Sequence, residues 1–555
     1  MNKWEKRDCC NTLSEVIERN TGMSIADLDK VYNTPIKGLK DVASHLKRLA
    51  AEEKSVTVFA DYDCDGICSA VIMNAILHSL GIKFNIMFPK RSTGYGLQPH
   101  DVEKIESDVI ITIDNGIAAF EGVNAAKEKG IEVIIIDHHL KSVEGVPNAD
   151  YIIDPHVFKD EEDYFEDWCG AGLGYELSRL LCDESSQMAC LQFAAIATVA
   201  DVVPLLKDNR KIVKEGLTLI NKTKVPSLRN FIASINKGSY SLPVVDETTI
   251  GFKFGPIINA MGRIEDNAQY VYKYFISGDQ EMLDHMIEVN ERRKELVTQS
   301  FERACEIITE ECLFGDVPII VHDPQTVSGI VGVVAGRLAE TYNTPVICLT
   351  DDENDPEIVH GSARSTDDIN IKEALDKVSD LLEKYGGHAG AAGISLRKEN
   401  IDNLRMRFSD VFVEIPDKKE MNLEYDLEIT ADQIGEFMTE LKRFGPYGEG
   451  NPNPSVLVKD FKLFPRAGKF YTLIGSDANT VKFFGNNSSA IGFDMAQKYK
   501  DIGVPKILNV VGKISENHYG KPEPQIEMQD FDSAGKSEEK SDLAKSLAEK
   551  LNFDF

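Results

Sequence analysis

Val56-Thr57-Val58-Phe59-Ala60 runs directly into Asp61-Tyr62-Asp63-Cys64-Asp65-Gly66, an apolar stretch of strand length closed by three aspartates. The pattern returns twice: Val109-Ile110-Ile111-Thr112-Ile113 precedes Asp114-Asn115-Gly116, and Val133-Ile134-Ile135-Ile136 precedes Asp137-His138-His139. Apolar β-branched runs without polar alternation predict strands covered on both faces. Helical stretches between them, Ile67 to Leu80 and Ala118 to Lys129, make the sheet parallel. Ligands of a parallel α/β sheet gather outside the carboxyl ends of its strands, so three acidic motifs are expected to converge on one site.

Asp61, Asp63 and Asp65 alternate at period two and are expected to face one way. So many carboxylates repel one another unless cations neutralise them. Oxygen donors with an imidazole suit Mn²⁺ or Mg²⁺, and a bridging Asp114 is expected to hold two ions close together, the arrangement used for phosphoryl chemistry. A calcium loop is the first competing reading, because Asp61-x-Asp63-x-Asp65-Gly66 opens like an EF-hand. Its twelfth position, however, is Ile72 where a bidentate Glu is required. The second is that each Asp is an ordinary helix cap or turn residue. That reading suits one motif better than three at equivalent places.

At 555 residues the chain has room for three to four domains. Lys and Arg total 61 against 91 Asp and Glu, a net charge of −30 that argues against a broad basic nucleic-acid coat. No apolar run is long enough to span a bilayer, and Met1 to Asp8 leads into no apolar segment, so no membrane association and a cytoplasmic location are expected. The ten cysteines form no Cys-x-x-Cys pair and read as reduced thiols. The predicted architecture is α/β and multidomain: a helical cap (1–50), a catalytic parallel-sheet domain (51–280), a linking helix (281–311), a smaller α/β domain (312–400), a connector (401–445), a small OB-fold-like β-barrel (446–535) and a charged tail (536–555). Residues 456–535 carry ten Lys/Arg against nine Asp/Glu, the least repulsive platform for a polyanion. Phe461, Phe464, Phe470, Tyr471, Phe483 and Phe484 are its candidate base-stacking aromatics, of which one or two are expected to face solvent. In the tail, Leu543, Leu547 and Leu551 at helical spacing ahead of Phe553 and Phe555 suggest a partner contact.

Taken together, the motifs at 61–66, 114–116 and 137–139 resemble those of the DHH phosphoesterases. Arg91-Ser92-Thr93-Gly94-Tyr95-Gly96-Leu97, Ala197 to Leu205, Gly255 to Ile264, Ser362-Ala363-Arg364-Ser365 and Gly386 to Gly393 resemble the RecJ branch of single-strand-specific 5′→3′ DNA exonucleases, over roughly residues 50 to 530. This resemblance implies a DHH domain, a DHH-associated domain and an OB-like domain. It further implies that Asp61, Asp63, Asp65, Asp114, His138 and Asp201 hold two Mn²⁺ or Mg²⁺ ions, with Asp114 bridging, Asp137 orienting the cluster and His139 reaching the scissile phosphate. Arg364 and His388 are implied at the terminal or scissile phosphate, and Arg91, Tyr95, Asn259, Arg263 and Ser328 along the nucleic-acid path. Met261 stands where Ala is commoner and Ala363 where Gly is usual. The Gly386 to Gly393 run lacks the Lys-Ser/Thr of a nucleotide-binding loop. On spacing alone the competing reading is a tight helix–strand packing loop.

The leading expectation is therefore an enzyme, a phosphodiester hydrolase degrading single-stranded DNA by two-metal activation of water in repair and recombination. A single-strand-binding protein or helicase is the expected kind of protein partner. Two alternatives stand beside it: a DHH phosphodiesterase of short oligonucleotides or cyclic dinucleotides, and a non-catalytic single-strand-binding scaffold. Relatives of the first kind lack the barrel and those of the second have lost metal acids, whereas this chain has both.

Overall fold

The computed structural model describes residues 4–534, except 29, 92–93, 143, 159–164, 236–243, 353–354, 367–368, 412–421, 476–477 and 518–521. The expected tail contact at 536–555 lies outside the described residues, as do Ser92 and Thr93.

All three acid-tipped runs are strands of one five-stranded parallel sheet, ordered Phe84–Met87, Val56–Ala60, Val109–Ile113, Glu132–Ile136, Tyr151–Ile153. Alternate side chains feed two separate cores, which is why the runs are apolar throughout. Val58, Ala60, Ile111, Ile113, Ile134 and Ile136 pack with helices Cys64–Leu80, Gly170–Leu181 and Glu184–Ala200. Phe59, Ile110, Val133 and Ile135 pack on the other face with Leu97, Val102 and Val123. Burial on both faces, at about 25 cal/mol per Å² of apolar area, holds this sheet in place.

Helix Gln280–Glu310 crosses to the second domain, one residue offset from the expected span. Leu283, Met286 and Val289 near its start lie in the first core, whereas Val297, Ala304 and Ile308 lie in the second. There a mixed five-stranded sheet runs in the order Lys384–His388, Ala391–Arg397, Ile358–Arg364, Val346–Asp351, Ile319–His322. Helix Val331–Tyr342 covers one face, and helices Ile371–Asp376 and Ile401–Val411 the other. Residues 401–411 are thus part of this domain's core rather than a free connector. The Gly386 to Gly390 run is the end and turn of the hairpin joining Lys384–His388 to Ala391–Arg397, not a helix–strand packing loop. Gly387 sits at φ 146°, where a Cβ would lie 2.3 Å from the Ala391 carbonyl oxygen.

The C-terminal domain is a seven-stranded mixed sheet, ordered Leu427–Thr430, Ser455–Lys462, Ile507–Asn517, Glu523–Ser533, Ser489–Gly492, Thr480–Phe484, Tyr471–Ile474. Its core contains Leu13, Val16, Ile17 and Leu28 from the N-terminus. The expected single N-terminal cap is therefore divided. Residues up to Leu28 join the C-terminal domain, with Trp4–Lys6 pairing in parallel with Leu423–Tyr425 and Arg19 bound to Asp426 at 2.5 Å, whereas helix Leu39–Ala51 packs into the first domain. Helical periodicity says that a face is buried without saying against which element, and these contacts span about 400 residues. The first and last domains meet where Arg210 Nη1 donates to the Phe444 carbonyl, the Leu205 amide to the Glu449 carbonyl and the Tyr447 amide to Glu247.

Candidate metal centre

Three groups of potential ligand atoms, each gathered within 4.8 Å, meet at the carboxyl ends of the first sheet: Asp61, Asp63 and Asp114; Asp65, His138 and Asp201; and Asp114, His138 and His139. Asp114 belongs to two of them. His138 Nε2 lies 3.0 Å from Asp114 Oδ1 and 3.7 Å from carboxylate oxygens of both Asp65 and Asp201.

Local backbone geometry explains each motif. Asp63 caps helix Cys64–Leu80, its Oδ1 accepting from the amides of Asp65 and Gly66 at 3.0 and 3.1 Å. Asp65 is already inside that helix, so the three acids do not alternate as on a strand. Helical geometry turns Asp65 away from Asp61 and Asp63 and into the group with His138 and Asp201. Gly66 is required there, because a Cβ would lie 2.1 Å from the Asp61 carbonyl oxygen. Asp65 in turn accepts the Gly170 and Ala171 amides at 2.6 and 2.8 Å, from the amino end of helix Gly170–Leu181. Two positive helix ends therefore point into the acids. In the Asp114-Asn115-Gly116 turn, Asp114 has φ 61° and Gly116 φ 118°. Asn115 Nδ2 ties together the carbonyls of Phe59 and Ile113, joining two strand ends. Gly170 again leaves room, since a Cβ would approach Asp114 Cβ to 2.7 Å. The Cys169-Gly170-Ala171-Gly172 run was the sequence signal for this support, and the strand-end reading passed over it.

Asp137 lies in none of the three groups. Its Oδ1 accepts from the amides of His138 and His139 and pairs with His139 Nδ1 at 2.8 Å, while Oδ2 accepts the Ile117 amide. Burial opposes a charge on His139, but the Asp137 bond and the surrounding carboxylates outweigh it and push the imidazole up to about 10. Burial, reinforced by charge on His139, brings His138 down to about 3, leaving the neutral ring that ligates metals. Burial and then charge repulsion raise Asp61, Asp114 and Asp201 well above the usual carboxylate range, and Asp65 to about 6. Asp201 also stands at the carboxyl end of helix Glu184–Ala200, where the dipole disfavours an anion. Protein groups alone leave this cluster under-neutralised, and hard oxygen donors with one neutral imidazole fit Mn²⁺ or Mg²⁺.

Tyr62 lies between the centre and a group of basic residues. The Arg91 guanidinium stacks 4.1 Å above its ring, and Tyr95 packs edge-on to both Tyr62 and His139. Arg263, on helix Gly255–Ile264, is brought down to about 10 by burial and by Arg91. On the same helix, Asn259 Oδ1 is buried with no hydrogen-bond partner among the described residues. Arg263 reaches the second domain, where its Nη1 donates to the Gly329 carbonyl at 3.2 Å, next to Ser328. Arg364 and His388 are both register partners of Ala391, so the sheet sets them in one row on one face, two strands apart or about 10 Å. Arg364 Nη1 bonds Ser362 Oγ and the Ala363 carbonyl, and His388 is exposed. In the C-terminal domain Phe461 and Phe483 are buried and Phe464 is 38% exposed. Phe493, at 64%, was not singled out because one aromatic beyond a strand end carries no periodicity.

A parallel sheet carrying an acid–imidazole cluster at its carboxyl ends, followed by a linking helix and a small mixed domain, defines a DHH-type phosphoesterase. The DHH family N-terminal domain matches residues 55–199, the DHHA1 domain 316–414 and the RecJ OB domain 425–530. The chain belongs to the RecJ family. It is 30% identical to the single-stranded-DNA-specific exonuclease RecJ of Salmonella typhimurium over 455 residues, covering 76% of this chain and 77% of that one. The Bacillus subtilis protein of the same description is 30% identical over 512 residues, 89% of this chain but 63% of its own length, so the chain spans less than two thirds of that relative. A crystal structure of RecJ in complex with Mn²⁺ from Thermus thermophilus superposes with a TM-score of 0.75 at 25% identity, covering 93% of this chain and 75% of the other. Among the described residues no helix is long and apolar enough to cross a membrane.

Proposed function

We propose that the chain is a metal-dependent exonuclease that hydrolyses single-stranded DNA in the 5′→3′ direction, acting in repair and recombination in the cytoplasm. The supporting observation is that one helix, Gly255–Ile264, touches both domains that carry the site residues: a Cβ on Gly262 would lie 3.0 Å from the carbonyl oxygen of Tyr62, beside Asp61, and Arg263 Nη1 donates to the Gly329 carbonyl.

Asp61, Asp63, Asp65, Asp114, His138 and Asp201 would hold two ions, with Asp114 shared. Bound there, Mn²⁺ or Mg²⁺ supplies a nucleophile from water at neutral pH and neutralises charge on the phosphate. The chain's own groups do the rest. His139, charged and fixed at Nδ1 by Asp137, presents Nε2–H to a phosphate oxygen. Arg364 offers the planar fork suited to phosphate, with His388 in the same row. Arg91 and Tyr95, beside Tyr62, and Asn259, Arg263 and Ser328 along the domain junction, guide the strand. A single-strand-binding protein or a helicase is the proposed kind of protein partner, because both hold the same substrate.

Digestion of end-labelled single-stranded and duplex DNA tests this reading. Release of mononucleotides from the 5′ end of single strands only is expected. Cleavage confined to very short oligonucleotides would favour the oligonucleotide phosphodiesterase, and binding without any turnover the scaffold. Chelation should reduce turnover to background and lower the melting temperature, with both restored by Mn²⁺ or Mg²⁺; full activity after exhaustive chelation would refute the metal model.

The OB domain is proposed to extend the binding track through Phe464 and Phe493. Deleting the domain is a poor test, because it would strip the cover from Leu13, Val16 and Ile17. Phe464→Ser with Phe493→Ser is expected to weaken affinity for a long single strand about thirtyfold or more, two stacked bases at about 1–3 kcal/mol each. Cleavage of a very short oligonucleotide should be unchanged. Equal affinity at the same salt would assign the domain to something other than DNA.

A further inference from the structure

Asn209 is the third residue of helix Lys207–Ile220 and is completely buried. Its side-chain Nδ2 donates to two backbone carbonyls, those of Asp167 and Pro204. Both carbonyls lie on segments that support metal ligands. Pro204 follows Asp201 by three residues, across a turn in which Val202 has φ 59° and is 64% exposed. A β-branched residue in the left-handed region persists only where its surroundings hold it. So exposed a side chain supplies little packing, and the hold comes from beyond it, through the Pro204 carbonyl on Asn209 and the Leu205 amide on the Glu449 carbonyl at 2.8 Å. On the other segment, Asp167 precedes Trp168, whose backbone bonds the His138 ring, and then Gly170 and Ala171, whose amides hold Asp65. Trp168 is buried in the first core. One amide thus joins the supports of Asp65, His138 and Asp201, the three members of a single ligand group. The group of Asp61, Asp63 and Asp114 is held by other means, namely the cap of helix Cys64–Leu80 and the Asn115 tie between two strand ends.

We propose that Asn209 is a positioning residue for one of the two metal sites, the one built on Asp65, His138 and Asp201, and that it acts by fixing the spacing of the two backbone segments behind those ligands. The proposal rests on the reading of the cluster as a two-ion centre. A side-chain amide suits the task, because its two N–H groups serve two carbonyls from one nitrogen, whereas a hydroxyl has a single donor and a carboxylate none. Asn209 Oδ1 is buried and makes no hydrogen bond among the described residues, so the side chain is placed there for its donors. Groups behind metal ligands commonly change metal affinity or activity about tenfold to a hundredfold, since they hold the ligands in the orientation the ion requires.

The test is Mn²⁺ binding, measured by isothermal titration calorimetry on the metal-free parent and on Asn209→Ala. The parent is expected to bind two ions. Asn209→Ala should bind one of them as tightly as the parent and the other about tenfold more weakly or worse. In a nuclease assay, the Mn²⁺ concentration that gives half-maximal kcat should rise by the same factor, with KM for the single strand at saturating Mn²⁺ unchanged. Asn209→Ser keeps one donor and should fall between the parent and Asn209→Ala; it carries the measurement should Asn209→Ala fail to fold. A merely structural asparagine would lower the melting temperature of the metal-free protein and leave both ions bound as in the parent. That result, or equal weakening of both ions, in a variant whose circular dichroism matches the parent would overturn the proposal. A parent that binds fewer than two ions would instead overturn the two-ion reading on which it rests.

Discussion

Asp114→Asn is expected to reduce hydrolysis of single-stranded DNA about a thousandfold or more while leaving the protein folded. The residue belongs to two of the three ligand groups, so no other carboxylate can take over its position. Asparagine is the informative replacement because the site has φ 61°, a left-handed conformation that Asp and Asn accept more readily than alanine. Burial and then the charges of Asp65, Asp63, Asp61 and Asp201 push the Asp114 carboxyl well above its usual range. A neutral side chain of the same shape relieves that repulsion, and the metal-free variant should melt no lower than the parent. Added Mn²⁺ should then separate the two. An ion at about a hundred times its Kd stabilises the parent by about 2.7 kcal/mol, and this increment should shrink in the variant. Differential scanning fluorimetry with and without Mn²⁺, beside a nuclease assay, measures both effects. Near-parental turnover would show that Asp114 does not connect the metals.

The position of this centre was legible because three strands end in acids, and the carboxyl-end rule needs only the strand runs and their order. The internal arrangement of Asp61, Asp63 and Asp65 was not. A strand-like alternation and a helix amino terminus are both compatible with Asp-x-Asp-x-Asp-Gly, and what decides is Gly66 passing under the Asp61 carbonyl, a contact absent from the pattern. Gly170 and Ala171 escaped notice for the same reason, as their backbone amides act on Asp65 from 105 and 106 residues away. Chain order also misled at the N-terminus. Leu13, Val16 and Ile17 show their apolar stripe plainly, but the surface that covers it is built from residues beyond 427. Of the six aromatics picked out in the OB region, two are buried, Phe470, Tyr471 and Phe484 are half-buried, and Phe464 is exposed. Phe461 and Phe483 occupy inward strand positions, leaving Phe464 and the unremarked Phe493 outside.

Gly329→Ala is expected to lower kcat/KM about a hundredfold through a single added methyl group that touches neither metal ligand nor substrate. The Cβ would have to occupy a point 1.8 Å from the Arg263 carbonyl oxygen, a backbone atom with no rotamer to yield. Either the Ser328–Ile330 turn or the end of helix Gly255–Ile264 must therefore retreat by an ångström or more. The Arg263 bond to the Gly329 carbonyl is then lost, and the face bearing Ser328 and Arg364 moves away from the acid cluster. Misplacement of about 1 Å between groups acting on one phosphate is enough for a hundredfold loss. Each domain keeps its own core, because Val334, Ala335 and Leu338 beyond the turn pack against Ile319 and Val346 rather than against Arg263. Circular dichroism should be unchanged, and Mn²⁺ should raise the melting temperature of the first domain as in the parent. Lost turnover with an intact metal response would assign catalysis to the junction of the two domains. Parental activity would show that the DHHA1 face contributes binding alone, and that the acids act on the strand unaided.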